Sequence, residues 1–277
     1  MKCVITAAGK GTRLLPITKE LPKEMMPIFT RMYGKDRVVI PLLQYIFEQL
    51  YALNMHDYCF VVGREKRSIE DHFTPHESYL KELSGTNREL ISKFYHRLEK
   101  SHIIWINQNK PRGFGDAVRL TEKYIGRDDF IVHAGDVAIL SRSVHPVERL
   151  IRTARADSAV SAVLLLKKVK DTKRYGVPKI NKKNSQYVVE EVEEKPDKPK
   201  SSFGILPLYY FKPEIFDYLK RIKPGKGDEY QLTDGIQKLI EDGKKVVAVT
   251  LEKDEIEIDV GTVESYRYSQ EISYKKA

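Results

Sequence analysis

The sequence predicts an α/β protein: a mixed, mostly parallel sheet flanked by helices, with a small antiparallel patch near residues 175 to 210. Three observations carry this. Apolar, β-branched runs recur at Val4-Ile5-Thr6, Tyr58 to Val62, Phe130-Ile131-Val132 and Ala159 to Leu166. Segments with helical periodicity separate them, and strands alternating with helices imply neighbours that run parallel. Beyond residue 166 the composition shifts to Lys- and Glu-rich stretches with short β-like pieces, which places the antiparallel patch there. A chain of 277 residues is then one domain with a core over 1–166, a second part over 167–262 and a terminal helix over 263–277.

The elements follow in order. Val4-Ile5-Thr6 is a buried strand that runs into the small-residue loop Ala7-Ala8-Gly9-Lys10-Gly11-Thr12-Arg13. Residues 30 to 40 break the pattern and read as an inserted loop carrying Arg31, Lys35 and Arg37. Pro41 starts a helix whose apolar stripe is Leu42, Ile46, Leu50 and Leu53, with Asn54 as its stop. Lys66 to Phe73 is a short helix. His72 within it has no partner constellation and is assigned a structural role. Residues 76 to 100 form a helical excursion broken near Ser84-Gly85-Thr86. His102 to Asn107 is a strand with Trp105, the single tryptophan, as a core residue.

Asp129 to Ala134 is a further strand, ending in Gly135-Asp136. An Asp just past the C-terminal end of such a strand lies at the crevice where open α/β sheets bind ligands. His145 to Ala156 is a helix, Phe203 to Phe211 a strand and Val246 to Leu251 another. Asp228 is the expected N-cap of a helix with Leu232, Ile236, Leu239 and Ile240 on one face, closed by Gly243. Residues 263 to 276 form a terminal helix bearing Tyr266, Tyr268 and Tyr274, for packing or for an oligomer contact.

Composition excludes several classes. The net charge of +9, from 48 Lys and Arg against 39 Asp and Glu, is spread among acids, with no Arg-rich arm or zinc-finger spacing. That reads as a solvated surface favouring anionic small molecules, not nucleic acid. No run approaches the ~18 apolar residues of a membrane span. The start has no basic-then-apolar leader, so a cytoplasmic location is expected. Cys3 and Cys59 both fall in apolar runs and read as core residues, not as a disulfide or metal site.

The loop after the first strand carries the chemistry. Gly9 and Gly11 let backbone N–H groups approach a phosphate, and Arg13 and Lys23 bring two cations close by. A Rossmann fingerprint fails because Leu14 stands where its third glycine belongs, and no P-loop spacing is present. Gly9-x-Gly11 alone is equally an ordinary turn after a core strand. The longer pattern, Gly11-Thr12-Arg13-Leu14-Leu15-Pro16 through Pro22-Lys23-Glu24-Met25-Met26-Pro27, resembles the signature of the sugar nucleotidyltransferases, and specifically of bacterial-type UTP–glucose-1-phosphate uridylyltransferases.

Further stretches carry the resemblance in family order: Ser68-Ile69-Glu70-Asp71-His72-Phe73, Gln108 to Val118, Gly135-Asp136, Tyr175-Gly176-Val177, Val192-Glu193-Glu194-Lys195-Pro196, Gly227 to Asp234, and Asp259-Val260-Gly261. It implies a Rossmann-like nucleotide-diphospho-sugar transferase fold with a small antiparallel sugar-binding subdomain. It implies Mg2+-dependent transfer of UMP from UTP to a sugar-1-phosphate, glucose-1-phosphate in first place, with release of pyrophosphate. Ala7, Ala8, Gly9, Gly11, Thr12, Arg13, Gln108 and Gly113 are the nucleotide-binding residues it implies. Gly176, Glu194 and Lys195 bind the sugar phosphate, Asp136 and Asp259 hold the metal, and Arg13, Lys23, Asp136, Lys195 and Asp259 are catalytic. A Gln amide at 108 is suited to read a pyrimidine edge, and Gly113 lets a flat base lie against the main chain.

The sequence departs from the family at Asn109, Phe114 and Asp116, the last where the family has His. A thymidylyltransferase or an enzyme using both UTP and dTTP therefore stays open. So does a non-catalytic nucleotide-sugar-binding subunit on the same fold. The expected partners are small-molecule substrates, with neither nucleic acid nor membrane, and a second or further copies of the chain in a dimer or tetramer.

Overall fold

The computed structural model describes residues 1–34, 37–142, 144–183 and 186–277. In chain order the first elements are β1 (Lys2–Ala7), the hairpin β2 (Pro27–Arg31) and β3 (Arg37–Pro41), α1 (Leu42–Ala52), β4 (Asp57–Gly63), α2 (Arg67–His72), α3 (Glu77–Glu82), α4 (Gly85–Glu99) and β5 (His102–Gln108). Then come α5 (Phe114–Arg119), α6 (Glu122–Ile125), β6 (Phe130–Ala134), β7 (Val137–Leu140), α7 (Pro146–Arg155), β8 (Val160–Lys168), β9 (Gly176–Lys183) and β10 (Gln186–Glu194). The chain closes with β11 (Phe203–Phe211), α8 (Ile215–Leu219), α9 (Leu232–Glu241), β12 (Lys245–Thr250), β13 (Ile256–Asp259) and α10 (Val263–Lys276). These elements fall into two compact units that interleave along the chain.

The first unit comprises Met1–Thr6, Lys110–Ala134 and Ile139–Ile256. Its strands lie in the order β1-β6-β11-β8-β12-β10-β9. β1 runs parallel to β6, and β8 parallel to β12, while β11 opposes β6 and β8. β10 opposes both β12 and β9. β10 and β11 therefore run against the other strands, a mixed and mostly parallel sheet as the alternating pattern predicts. Of the expected antiparallel patch, β9 and β10 pair at one edge of this same sheet, while β11 lies inside it between β6 and β8.

The centre of the sheet is apolar on both faces. Val4, Ile131, Val132, Val163, Leu164, Leu165, Leu166 and Val247 are fully buried. This is the near-continuous hydrophobic run expected of strands covered on both sides. α7 packs on β8, and α9 on β10 and α8. α9 buries Leu232, Ile236 and Leu239, as the stripe predicts, and ends near Gly243, whose φ of +75° suits glycine. Asp228 is not its N-cap. Gln231 holds that place, and Asp228 lies in a separate 3-10 turn with φ of +57°.

The second unit comprises Ala7–Asn109, Gly135–Ala138 and Glu257–Ala277. β4 and β5 pair in parallel. α1 covers its own core with Leu42, Leu43, Ile46, Phe47 and Leu50, all fully buried. Phe47 meets Tyr58, Phe73 and Phe94 at ring distances of 5.0, 5.5 and 6.0 Å, and Phe60 stacks on Trp105 at 4.8 Å. Trp105 is half-buried on β5 and not a core residue. His72 belongs to this aromatic cluster. It bonds the Gln44 amide oxygen at 2.9 Å, and burial lowers its pKa to about 4. The geometry is that of a packed neutral imidazole.

The expected inserted loop is instead a regular hairpin. β2 and β3 pair antiparallel from Pro27↔Pro41 to Arg31↔Arg37. Lys35, placed on that loop by the sequence, lies outside the described residues. α10 covers β2: Tyr274 meets Phe29 edge-on at 5.1 Å, the Phe29 N–H donates to Ser273 Oγ at 3.3 Å, and Arg37 lies 4.5 Å from the Tyr274 ring. Two segments more than 240 residues apart thus complete one another. Cys3 and Cys59 are buried and neither is in a disulfide. Among the described residues no helix is long and apolar enough to cross a membrane.

Candidate active site

The loop after β1 belongs to the second unit and is built by local backbone chemistry. Ala7 and Ala8 are buried, while Gly9, Lys10, Thr12 and Arg13 are exposed. Gly11 has φ of +66°, a left-handed conformation that glycine adopts at no steric cost. A Cβ at Gly11 would lie 3.1 Å from the Thr18 Cβ. The Gly11 carbonyl accepts from Thr18 Oγ1 at 2.7 Å and from the Leu14 N–H at 2.9 Å. The loop is therefore pinned from behind while its outer face stays open.

Lys23 begins a 3-10 turn over Lys23–Met25. Its ammonium lies across Gly9, where a Cβ would meet Nζ at 3.3 Å. There it donates a short hydrogen bond to Asp136 Oδ2. Burial works against both charges. The Asp136 and Glu24 carboxylates together outweigh burial to raise the Lys23 pKa, and Lys23, a backbone hydrogen bond and then Arg13 hold Asp136 below its ordinary range. Both groups are ionised across neutral pH.

Asp259 stands at the end of β13, and its chain neighbour ties it to Asp136. The Val260 N–H donates to the Asp136 carbonyl at 3.2 Å. Asp259 Oδ1 accepts from the Gly261 N–H at 2.6 Å, and the Asp259 carbonyl accepts from Ser269 Oγ of α10 at 2.9 Å. Gly261 is where Arg13 arrives. A Cβ there would lie 3.2 Å from Arg13 Nη2 and 2.8 Å from Asp259 Oδ1. Arg13, Lys23, Asp136 and Asp259 are thus brought together within one unit, from four separate stretches of chain.

Gln108 is 4% exposed and ends β5, paired with Gly63. A Cβ on Gly63 would lie 3.1 Å from the Ala8 carbonyl, so β4 runs close beside the glycine loop. Behind that loop lies a pair the sequence reading passed over. Lys66 Nζ donates to Glu24 Oε2 at 2.9 Å, with side chains 8% and 1% exposed. Glu24 stood inside the recognised motif, but its partner 42 residues away carried no signal.

The remaining predicted residues lie in the first unit. Gly113 has φ of +108° and starts α5. A Cβ on it would lie 2.8 Å from the Tyr230 carbonyl, and one on Gly115 would be equally close. Tyr230 N–H donates to the Arg112 carbonyl at 2.7 Å, and the Gly115 N–H to the Tyr230 carbonyl at 2.8 Å. The side of Gly113 where a side chain would project is therefore filled by main chain, which is the immediate reason for glycine there. Asp116, where the family has His, is buried and accepts from Arg119 at 2.7 Å.

Gly176, Glu194 and Lys195 lie together. Gly176 and Glu194 are partners across β9 and β10. Thr233 Oγ1 donates to Glu194 Oε2 at 2.7 Å, and a Cβ on Gly176 would crowd both, at 2.9 and 3.2 Å. Thr233 was not singled out, although it stands in the Gly227–Asp234 motif. Lys195 turns the chain with φ of +47°, and its ammonium pairs with Glu194 Oε1 at 3.2 Å. Its N–H donates to the Tyr175 carbonyl at 2.9 Å.

Among the described residues no group of three or more His, Cys, Asp or Glu forms a metal cluster. A two-carboxylate set still fits Mg2+, which is usually held by one or two carboxylates with substrate phosphates and water completing the octahedron. Asp136, already held ionised against a cation, has the chemistry of such a ligand.

The fold and these residues define an α/β nucleotide-handling protein, and the comparisons specify its family. The Nucleotidyl transferase profile matches residues 2–275, and the chain belongs to that family. Within it, the chain is 37% identical over 248 residues to the UTP–glucose-1-phosphate uridylyltransferase of Bacillus subtilis, covering 87% of this chain and 80% of that protein. It is 33% identical over 247 residues to the Staphylococcus haemolyticus protein of the same name, covering 87% and 82%. Among solved structures, a UDP-glucose pyrophosphorylase complexed with UDP-glucose superposes with a TM-score of 0.84 at 30% identity, covering 100% of this chain and 99% of the other. An apo-UDP-glucose pyrophosphorylase superposes with a TM-score of 0.87 at 28% identity, covering 99% and 98%.

Proposed function

We propose that this enzyme transfers UMP from UTP to glucose-1-phosphate, giving UDP-glucose and pyrophosphate. The observation that carries the reading is the gathering of Arg13, Lys23, Asp136 and Asp259 around the glycine loop. An oxygen of the sugar phosphate attacks the α-phosphorus of UTP. A new P–O bond forms, the bond to the bridging α–β oxygen breaks, and pyrophosphate leaves with that electron pair. The nucleophile is already ionised at neutral pH, so no general base is required. The obstacle is repulsion between two polyanions, and catalysis is positioning and electrostatic stabilisation.

Arg13 holds the β- and γ-phosphates and stabilises the departing pyrophosphate. Lys23 neutralises charge that develops on the α-phosphoryl oxygens. Backbone at Ala8, Gly9, Gly11 and Thr12 lines the phosphates, and Gln108 reads the base. In the first unit, Glu194 accepts from sugar hydroxyls, with Gly176 leaving room beside it, and Lys195 orients the sugar phosphate. Asp136 and Asp259 would hold the divalent cation, Mg2+ in this reading, which would supply positive charge against the reacting phosphates.

A pyrophosphate-release matrix tests this. UTP, dTTP, ATP, CTP and GTP are each offered with glucose-, galactose-, mannose- and N-acetylglucosamine-1-phosphate, with and without Mg2+. The expected maximum is UTP with glucose-1-phosphate, dependent on Mg2+. Release that is highest with dTTP overturns the choice of nucleotide, and no release in any cell of the matrix overturns the enzyme reading in favour of a binding subunit.

A further inference from the structure

We propose that Lys66 is a positioning residue for this reaction: it holds the Glu24 carboxylate, which leaves the neighbouring Lys23 to bond Asp136 and to reach the phosphoryl group. The inference rests on the catalytic role given to Lys23 above. Two carboxylates border Lys23: Asp136, which its ammonium bonds, and Glu24, the next residue in the chain. Glu24 is 1% exposed, so water cannot solvate its charge. Burial raises the Glu24 pKa, and Lys66 is the strongest influence opposing that rise.

The geometry of Lys66 suits the task. It precedes α2, which packs on the turn carrying Lys23 and Glu24, and its own side chain is buried with its ammonium 2.9 Å from Glu24 Oε2. A buried ion whose partner is removed is strongly disfavoured. The Glu24 carboxylate would then recruit the nearest cation. Lys23, adjacent in the chain, is a candidate, a point charge on a flexible four-carbon stem that can swing between two acceptors. With Lys66 in place, each carboxylate has its own ammonium, and Lys23 remains on the Gly9 side. Lys66 touches no reacting atom in this arrangement and acts only through Glu24 and Lys23.

The test is a double-mutant cycle on kcat and KM for UTP and glucose-1-phosphate. Lys66→Met is expected to lower kcat by roughly 10- to 100-fold while both KM values stay within about threefold, the split that marks loss of a transition-state interaction. Lys66→Met with Glu24→Gln is expected to recover kcat to within about fivefold of wild type, because no carboxylate remains to draw Lys23 away. In a Lys23→Met background, adding Lys66→Met should change kcat by less than about twofold, since residues acting through one group are not additive. A purely structural role would reduce kcat by the same factor in both backgrounds. Lys66→Gln, which keeps a hydrogen-bond donor but no charge, repeats the cycle if Lys66→Met does not fold. The proposal is overturned by a Lys66→Met or Lys66→Gln enzyme with kcat within twofold of wild type, by failure of Glu24→Gln to rescue, or by additive losses. A Lys23→Met enzyme with wild-type kcat contradicts the role of Lys23 itself and removes the positioning proposal with it.

Discussion

The Lys23 ammonium donates to Oδ2 of Asp136, a residue 113 positions further along the chain. This contact joins the turn after the glycine loop to the Gly135-Asp136 turn within the second unit, and it has a consequence for stability. Asp136 has a lowered pKa in the folded state, so its contribution is present above the unfolded carboxylate value and is lost as pH falls through the folded value. Lys23 has a raised pKa, so its contribution is present below the unfolded amine value and is lost as pH rises through the folded one. The pair therefore stabilises the protein from about pH 4 to about pH 10. Asp136→Asn should cost about 2 kcal/mol at pH 7, in the range of a charge-assisted hydrogen bond. Urea unfolding at stepped pH should show that gap closing below about pH 4. A gap that persists unchanged at pH 2 would contradict the assignment.

Arg13 reaches Gly261, where a Cβ would lie 3.2 Å from its Nη2. Removing its positive charge should raise the barrier for pyrophosphate departure and leave folding intact, since the side chain is exposed. Arg13→Ala is expected to lose on the order of 10²–10³ in kcat, as electrostatic clamps typically do. Steady-state kinetics at saturating UTP measure this, and a loss below fivefold would remove Arg13 from the mechanism.

Gly113 should tolerate no side chain. Its φ of +108° is strained for any other residue, and a Cβ would lie 2.8 Å from the Tyr230 carbonyl. Gly113→Ala is expected to destabilise the protein by about 1–3 kcal/mol, the usual cost of overpacking. Denaturant titration reads this directly, and an unchanged midpoint would show that the 229–231 segment moves aside without cost.

Glu194 and Lys195 should separate from Arg13 in kinetics. Glu194 bonds Thr233 and pairs with Lys195, which sets a carboxylate beside an ammonium as the proposed sugar-phosphate site requires. Glu194→Ala should raise KM for glucose-1-phosphate by roughly 10-fold or more while KM for UTP changes little, the pattern of lost ground-state binding. Equal rises in both values would contradict a sugar-specific role.

Much of this was legible because the signals are local. The strand–loop–strand order, the glycine loop and the Gly135-Asp136 strand end are each written in consecutive residues. What escaped depends on partners far apart in sequence. The hairpin at 27–41 read as a loop because its stabilising partner is α10, with Ser273 and Tyr274 closing on Phe29 from the other end of the chain. Lys66 entered the sequence reading only as the start of a short helix, because its partner Glu24 lies 42 residues away. Asp228 has the chemistry of an N-cap, yet the 3-10 turn and its left-handed backbone delay the helix until Gln231. Gly113 suggested room for a flat base, and the structure gives a nearer cause in the Tyr230 main chain.

The central claim is that one electrostatic cluster, Arg13 with Lys23, Asp136 and Asp259, drives transfer to the sugar phosphate. Its most direct measurement is UDP-glucose formation from UTP and glucose-1-phosphate with Mg2+, for wild type and for Asp259→Asn, at matched folded protein. The account predicts robust formation by wild type and a fall of at least about 10²-fold in kcat for the variant. Wild-type turnover by Asp259→Asn would contradict it.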